Sequence, residues 1–368
     1  MSWEWLPERQ LHVVETFGHI DAQIADLHRR VLVYTAVALD FREVRLPDRF
    51  RLEVAAINPL PAIISRLAAD ILNGLRGALE HTLMAEVVSA VGRPLSAAEE
   101  RAVEFPVTTD VAGWVRKHRG RKSNEALAAD GDIVKRILAL QPGDDESHPL
   151  RLLVEHTNYT KHRLPAVAST RQAAVTVVDR VTGGVRMEKR PRPIAVGDVV
   201  AESENLAEID SFAYVALERP HTAETVILMA EIEAIEKWVR EVAVPTLVTG
   251  GTQHPPLPPA LPVHVGHRDV RTALAKVADV PPAVIREQNR ASHAIARVGL
   301  TRLLVDRATG AEEAAVHRWV ESLDFEATKT RLERLRAAGE RGQDEEAAQQ
   351  VIRIAVRAWT QSQDTTGT

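Results

Sequence analysis

The feature that most constrains the fold is a run of apolar residues at helical spacing over residues 63–91. Leucines recur there at three- and four-residue steps, a pattern typical of a helix that buries one face. Pro61 precedes the run, and Gly92 followed by Pro94 is a typical C-terminal signal. Because a long helix needs neighbours to cover its apolar face, the sequence predicts a helical bundle.

The rest of the chain adds further helices and some short strands to this bundle. Apolar spacing predicts a first helix over residues 7–30, and β-branched residues predict a β-hairpin with a turn at Leu46-Pro47-Asp48. The strands of that hairpin are expected at residues 31–39 and 49–57. Alternating patterns within residues 173–217 predict a small antiparallel sheet. The predicted fold class is therefore mainly α, or α+β.

A proline-rich stretch divides the sequence, since it suits neither a packed helix nor a central strand. We expect a helical domain with inserted strands over residues 1–249, a linker at 250–263 and an all-helical domain at 264–361. Residues 362–368 are expected to form a disordered tail.

Composition excludes several kinds of chemistry and location. The chain has no cysteine, which excludes disulfides, thiolate metal sites and cysteine nucleophiles. The first residues do not resemble a signal peptide, and no apolar stretch reaches the roughly 18 residues of a membrane span. The sequence thus predicts a cytoplasmic protein without membrane contacts. With a net charge of −5, nucleic-acid contacts would depend on local basic patches.

One side of the long helix carries Asn73, Arg76, Glu80 and His81, opposite the leucines. An imidazole is a general acid or base near neutral pH, and a guanidinium binds phosphate. This combination suits RNA cleavage by the 2′-hydroxyl, which requires neither a metal nor a nucleophilic side chain. The other interpretation is structural, because Arg76 and Glu80 at positions i and i+4 form a salt bridge on many helices.

Two stretches carry a resemblance to known families. Residues 73–81, with His148-Pro149-Leu150 and Asn158-Tyr159-Thr160-Lys161-His162-Arg163, resemble uncharacterised bacterial proteins that pair Leu-Arg-Ser-Ala-Leu-Asp-His with Asn-x-x-Lys-His-Arg. The spacing of Arg76 and His81 is also similar to the Arg-x4-His motif of HEPN-type ribonucleases, which are dimeric helical bundles. That resemblance implies an RNA-cleaving homodimer of a toxin or defence type, with Arg76 and His81 catalytic. The residues it implies as supporting are Asn73, Glu80, Asn158, Lys161, His162 and Arg163.

A basic stretch at residues 114–122 places cations beside Trp114, a combination that suits phosphate and base contacts on RNA. A solvated loop is the alternative. The candidate nucleic-acid-binding residues are Arg116, Lys117, Arg119, Arg121 and Lys122.

No cofactor or metal is expected. His148, His156 and His162 lack a recognised metal spacing, and the sequence has no phosphate-binding glycine loop of the nucleotide-binding type.

Residues 274–286 resemble the helix-turn-helix of lac-repressor-type regulators. Leu274, Ala278, Val280 and Ile285 would pack the two helices together. The residues that would then reach bases are Arg286, Gln288, Asn289 and Arg290. This suggests a second hypothesis, in which the protein is a DNA-binding regulator. A third is a helical scaffold that binds a partner protein.

Overall fold

The computed structural model describes residues 3–108, 113, 127, 131–162, 168–179, 185–203, 207–340 and 343–366. The chain forms two compact units, Met1–Val284 and Ile285–Thr368. The prediction of a mainly helical fold with a hairpin and small antiparallel sheets is confirmed, as is the all-helical C-terminal region.

The first unit is built on eight helices within its described residues. A 3₁₀ turn at Glu8–Gln10 leads into the first of them, and a π-helical turn at Val239–Ala243 joins the sixth to the seventh. The helices are α1 (Leu11–Thr35), α2 (Ala62–Val91), α3 (Ala97–Glu100), α4 (Asp132–Ala139), α5 (Pro149–His162), α6 (Leu228–Trp238), α7 (Val244–Thr249) and α8 (Val270–Lys276).

Helix α2 is the centre of this unit. Its leucine face is fully buried against α1, α5 and α7, which contributes the apolar burial that drives folding. The helix ends at Gly92, whose φ of +70° is left-handed and favours glycine. The predicted extent of this helix and its C-cap are both confirmed.

Two antiparallel sheets accompany the helices. The first has the order β1 (Leu39–Arg45), β2 (Phe50–Ile57) and β5 (Val199–Ser203). The second has the order β4 (Val185–Pro193), β3 (Ala168–Asp179), β6 (Ala207–Glu218) and β7 (Thr225–Ile227). Strand β6 packs on α1, so the second sheet lies against the helical core.

The predicted first strand of the hairpin, residues 31–39, overlaps the observed β1 only at Leu39. Residues 31–35 instead continue α1, although they include the β-branched Val31 and Val33, and residues 36–38 form a turn and a bend. Tyr34 is buried in this last turn, and its hydroxyl donates to the carbonyl of Asn58 at 2.8 Å. Packing therefore outweighs the weak local preference for a strand. The turn itself lies where predicted, with Leu46 N–H donating to Arg49 O.

The proline-rich segment packs on the first unit. Trp3 and Trp5 donate their indole N–H groups to the carbonyls of Pro256 and Pro255, at 3.1 and 3.2 Å. Leu257 is fully buried. A proline lacks an N–H but keeps its carbonyl, so such a segment docks through acceptors. The segment expected to be a linker thus belongs to the first unit, and the units divide after Val284.

The second unit is a helical bundle with its own core. Its buried residues include Leu300, Leu304, Val316 and Ile352. The last helix extends to Thr366, into the segment expected to be a disordered tail. The helices are α9 (Ala283–Val305), α10 (Gly310–Ser322), α11 (Phe325–Glu340) and α12 (Asp344–Thr366). Across the described parts of both units, every helix is too short or too polar to span a bilayer.

Candidate functional site

Arg76 and Glu80 hold the backbone of Phe105 between them. Arg76 Nη2 lies 2.6 Å from Glu80 Oε1 and donates to Phe105 O, also at 2.6 Å. Phe105 N–H in turn donates to Glu80 Oε2 at 2.8 Å. Because the Phe105 side chain is fully buried, these bonds satisfy a backbone that has little access to water.

This cluster, which we call the Phe105 clamp, is partly shielded from solvent. The Arg76 side chain is 11% exposed and the Glu80 side chain 29%. Burial raises the pKa of Glu80, and the nearby charge of Arg76 and the Phe105 N–H oppose that rise. Arg76 Nη1 and Asn73 Oδ1 are buried and have no hydrogen-bond partner in the part of the chain that the structure describes. The geometry favours a structural task for Arg76 and Glu80.

His81 faces a different environment, on the exposed side of α2. It lies beside His12 of α1, with ring centroids 6.3 Å apart and ring planes at 60°. Both imidazoles line a shallow groove of about 560 Å³, which we call the His12–His81 groove. The lining residues are Arg9, His12, His81, Met84, Ala85, Val88 and Ser89.

The environment of His12 favours its neutral form. Its pKa is lowered chiefly by burial and further by the charge of His81, while a hydrogen bond to the backbone of Arg9 and the charge of Glu15 act in the opposite direction. A ring N–H that donates to a carbonyl also selects the tautomer, which leaves the second ring nitrogen as an acceptor. A neutral imidazole with a free ring nitrogen is able to accept a proton.

Sequence reasoning found His81 but missed His12 and Arg9. Arg9 lies 77 residues before its partner Glu86, and both Arg9 and His12 reach α2 only because α1 and the preceding 3₁₀ turn pack along that helix. The available signal was His12 beside the buried Val13 and Val14, which places it at the edge of the apolar face of α1.

The other predicted supporting residues are not brought to this groove by any contact that the structure shows. Asn158 is exposed on α5. Lys161 and His162 end the same helix, and their side chains lie outside the described residues. Also outside them are Arg163 and the basic residues Arg116, Lys117, Arg119, Arg121 and Lys122.

Two further histidines, His148 and His156, have contacts of a structural kind. His156 is buried and lies 3.3 Å from Glu231, which Arg219 also contacts. His148 accepts a hydrogen bond from a backbone N–H at the start of α5 and packs edge-on against Trp238. Within the described residues no cluster of three or more His, Cys, Asp or Glu is arranged to hold a metal ion.

The region that resembles a helix-turn-helix comprises α8 and the start of α9. Leu274 is buried, but Ile285, expected to pack in the turn, is 39% exposed, and Val284 is buried instead. Of the candidate base-reading residues, Gln288, Asn289 and Arg290 are exposed and Arg286 is half-buried.

Comparison of the chain with protein-family models, curated proteins and solved structures finds no match.

Proposed function

We propose that the His12–His81 groove cleaves RNA without a metal ion, in a protein that works in the cytoplasm. The observation that carries the proposal is the pair of imidazoles in one groove, 6.3 Å apart between centroids. Two histidines at such a separation can face opposite oxygens of one phosphate group, which is what acid–base catalysis of transesterification requires.

The proposed reaction moves one proton on each side of the phosphate. His12 takes the proton of the ribose 2′-hydroxyl, and the 2′-oxygen forms a bond to phosphorus. The bond to the 5′-oxygen breaks as protonated His81 gives that oxygen its proton. The products are a 2′,3′-cyclic phosphate and a 5′-hydroxyl. Water then exchanges the protons, which restores neutral His12 and protonated His81.

The roles follow from the surroundings of the two rings. His12 is assigned as the base because burial favours its neutral form and the Arg9 backbone orients it. His81 is assigned as the acid because it is exposed and open to proton exchange with solvent. Arg76, which the family resemblance implies as catalytic, here keeps the Phe105 clamp together.

The test is whether the full chain, in excess chelator, cleaves a DNA oligomer that contains one ribonucleotide. We expect His12→Ala and His81→Ala each to lower the rate by about 100-fold or more, the usual contribution of a positioned acid or base. His19→Ala is the matched control, because His19 is an exposed histidine of α1 that does not line the groove.

A substrate control and the histidine variants together decide whether the proposal holds. An all-deoxy oligomer should stay intact, since it has no 2′-hydroxyl. The proposal fails if the wild-type chain leaves RNA uncut, or if both histidine variants cleave it as fast as His19→Ala.

A further inference from the structure

Resting on that proposed function, we infer that Arg9 binds the phosphate group at the His12–His81 groove and that Glu86 is the positioning residue that holds Arg9 there. The ligand class is a phosphate anion, either a free phosphate or a phosphodiester. Neither residue was among those singled out by sequence.

Arg9 is held by two parallel hydrogen bonds. Its Nε donates to Glu86 Oε1 and its Nη2 to Glu86 Oε2, both at 3.0 Å. This two-point contact fixes the plane of the guanidinium as well as its position. The third nitrogen, Nη1, makes no hydrogen bond to the described part of the chain, and the side chain is 40% exposed. A donor is therefore left for a ligand.

Glu86 is itself held in place from other sides. It is only 6% exposed, on the face of α2 that meets the 3₁₀ turn before α1. Gln10 Nε2 donates to Glu86 Oε1 at 2.8 Å and to the carbonyl of Thr82 at 3.0 Å, so it links the carboxylate to the helix backbone. Arg136 Nη1 lies 3.8 Å from the other oxygen. A carboxylate restrained in this way is a rigid support for Arg9.

Glu86 balances the charge of Arg9, so the groove would bind an anion through hydrogen-bond donors more than through net charge. Its lining contains a guanidinium and two imidazoles but no carboxylate. Outside the lining, the charge of Glu15 acts to raise the pKa of His12, and Glu86 contacts Arg9. The backbone of Arg9 also forms a hydrogen bond with the His12 ring. One residue thus orients the proposed base through its main chain and presents a cation through its side chain.

The experiment titrates inorganic phosphate into the full chain and follows the imidazole signals of His12 and His81 by NMR. We expect a saturable shift of both signals in the wild type. Arg9→Gln should weaken phosphate binding by about 10-fold or more, the effect of losing a charge-assisted hydrogen bond. Arg30→Gln is the control, because Arg30 is a similarly exposed arginine of α1 paired with Asp26.

The positioning role of Glu86 has its own variants. Glu86→Gln should weaken phosphate binding and raise KM for the oligomer more than it lowers kcat, and Glu86→Asp should restore part of the affinity. If Glu86→Gln does not fold, Arg9→Lys tests the same point. It keeps the charge but loses the two-point contact, so it should also bind phosphate more weakly.

The results separate this inference from the proposed function. Phosphate binding that depends on Arg9 in a chain that does not cleave RNA would support the anion site and reject the nuclease. Cleavage that needs both histidines while Arg9→Gln binds phosphate like wild type would overturn the inference alone. An equal loss in Arg30→Gln would also overturn it, because the effect would then be one of overall charge.

Discussion

The guanidinium of Arg76 is buried because it serves the backbone of a distant segment. Arg76 and Glu80 lie one turn apart on α2, and together they satisfy both the carbonyl and the N–H of Phe105. Removing one partner of such a pair leaves the other poorly solvated. The free-energy penalty of that unpaired group exceeds the net stabilisation that the intact pair provides. The Phe105 clamp should therefore affect stability more than chemistry.

Replacing Arg76 by methionine tests this at the level of one residue. We expect Arg76→Met to lower the free energy of unfolding by about 2 kcal/mol, since Glu80 loses its cation and Phe105 its donor. Urea denaturation measures the loss. Arg66→Met, at an exposed position of the same helix, should change it by less than about 0.5 kcal/mol. Unchanged stability with lost RNA cleavage would instead place Arg76 in the reaction.

Between elements, the proline-rich segment approaches α1 closely at Gly18. A Cβ added at Gly18 would lie 2.4 Å from the carbonyl oxygen of Leu261 and 2.9 Å from Val263 Cγ1. Farther along the first unit, Asp21 of α1 accepts a hydrogen bond from the N–H of Ala283, the first residue of α9, at 2.8 Å. Glycine in α1 is thus required by packing against a segment far along the chain.

Two glycine-to-alanine changes should therefore have opposite effects. Gly18→Ala is expected to destabilise the chain by about 1–3 kcal/mol, because a backbone carbonyl cannot yield as a side chain does. Gly77→Ala meets no atom within 4 Å and should stabilise α2 by about 0.5–1 kcal/mol through helix propensity. Thermal unfolding of both variants gives the comparison. A Gly18→Ala chain as stable as Gly77→Ala would show that the segment is loosely docked.

Over the whole molecule, the features readable from sequence are those set by neighbouring residues. The periodicity of α2, the cap at Gly92 and the hairpin turn depend on local patterns, and the structure has them as predicted. The end of α1 does not depend on a local pattern, because the burial of Tyr34 decides where the helix ends. The same distinction holds for the site. His81 follows from its own helix, whereas its approach to His12 requires the α1–α2 packing.

The pH dependence of stability depends on the shifted pKa values of several groups in the first unit. Burial lowers the pKa of both His12 and His148 from the ordinary value of 6.5. The unfolded chain then takes up protons at a higher pH than the folded chain does. Their contribution is complete above pH 6.5 and is lost as the pH falls from that value through the lowered pKa of the folded chain. Raised pKa values at Glu80 and Glu236 act in the opposite direction.

His148 offers the means to separate these contributions. It is the N-cap of α5: Pro149 is the first helical residue, and His148 Nδ1 accepts from Leu150 N–H at 3.2 Å. Protonation removes that acceptor. His148→Asn keeps a capping oxygen that does not titrate, so at pH 7.5 its stability should lie within about 0.5 kcal/mol of wild type. Between pH 7.5 and 5.5 it should lose less stability than wild type does, as measured by urea denaturation. Parallel pH curves for the two chains would mean that the cap is equally strong with a charged ring, and would contradict this account.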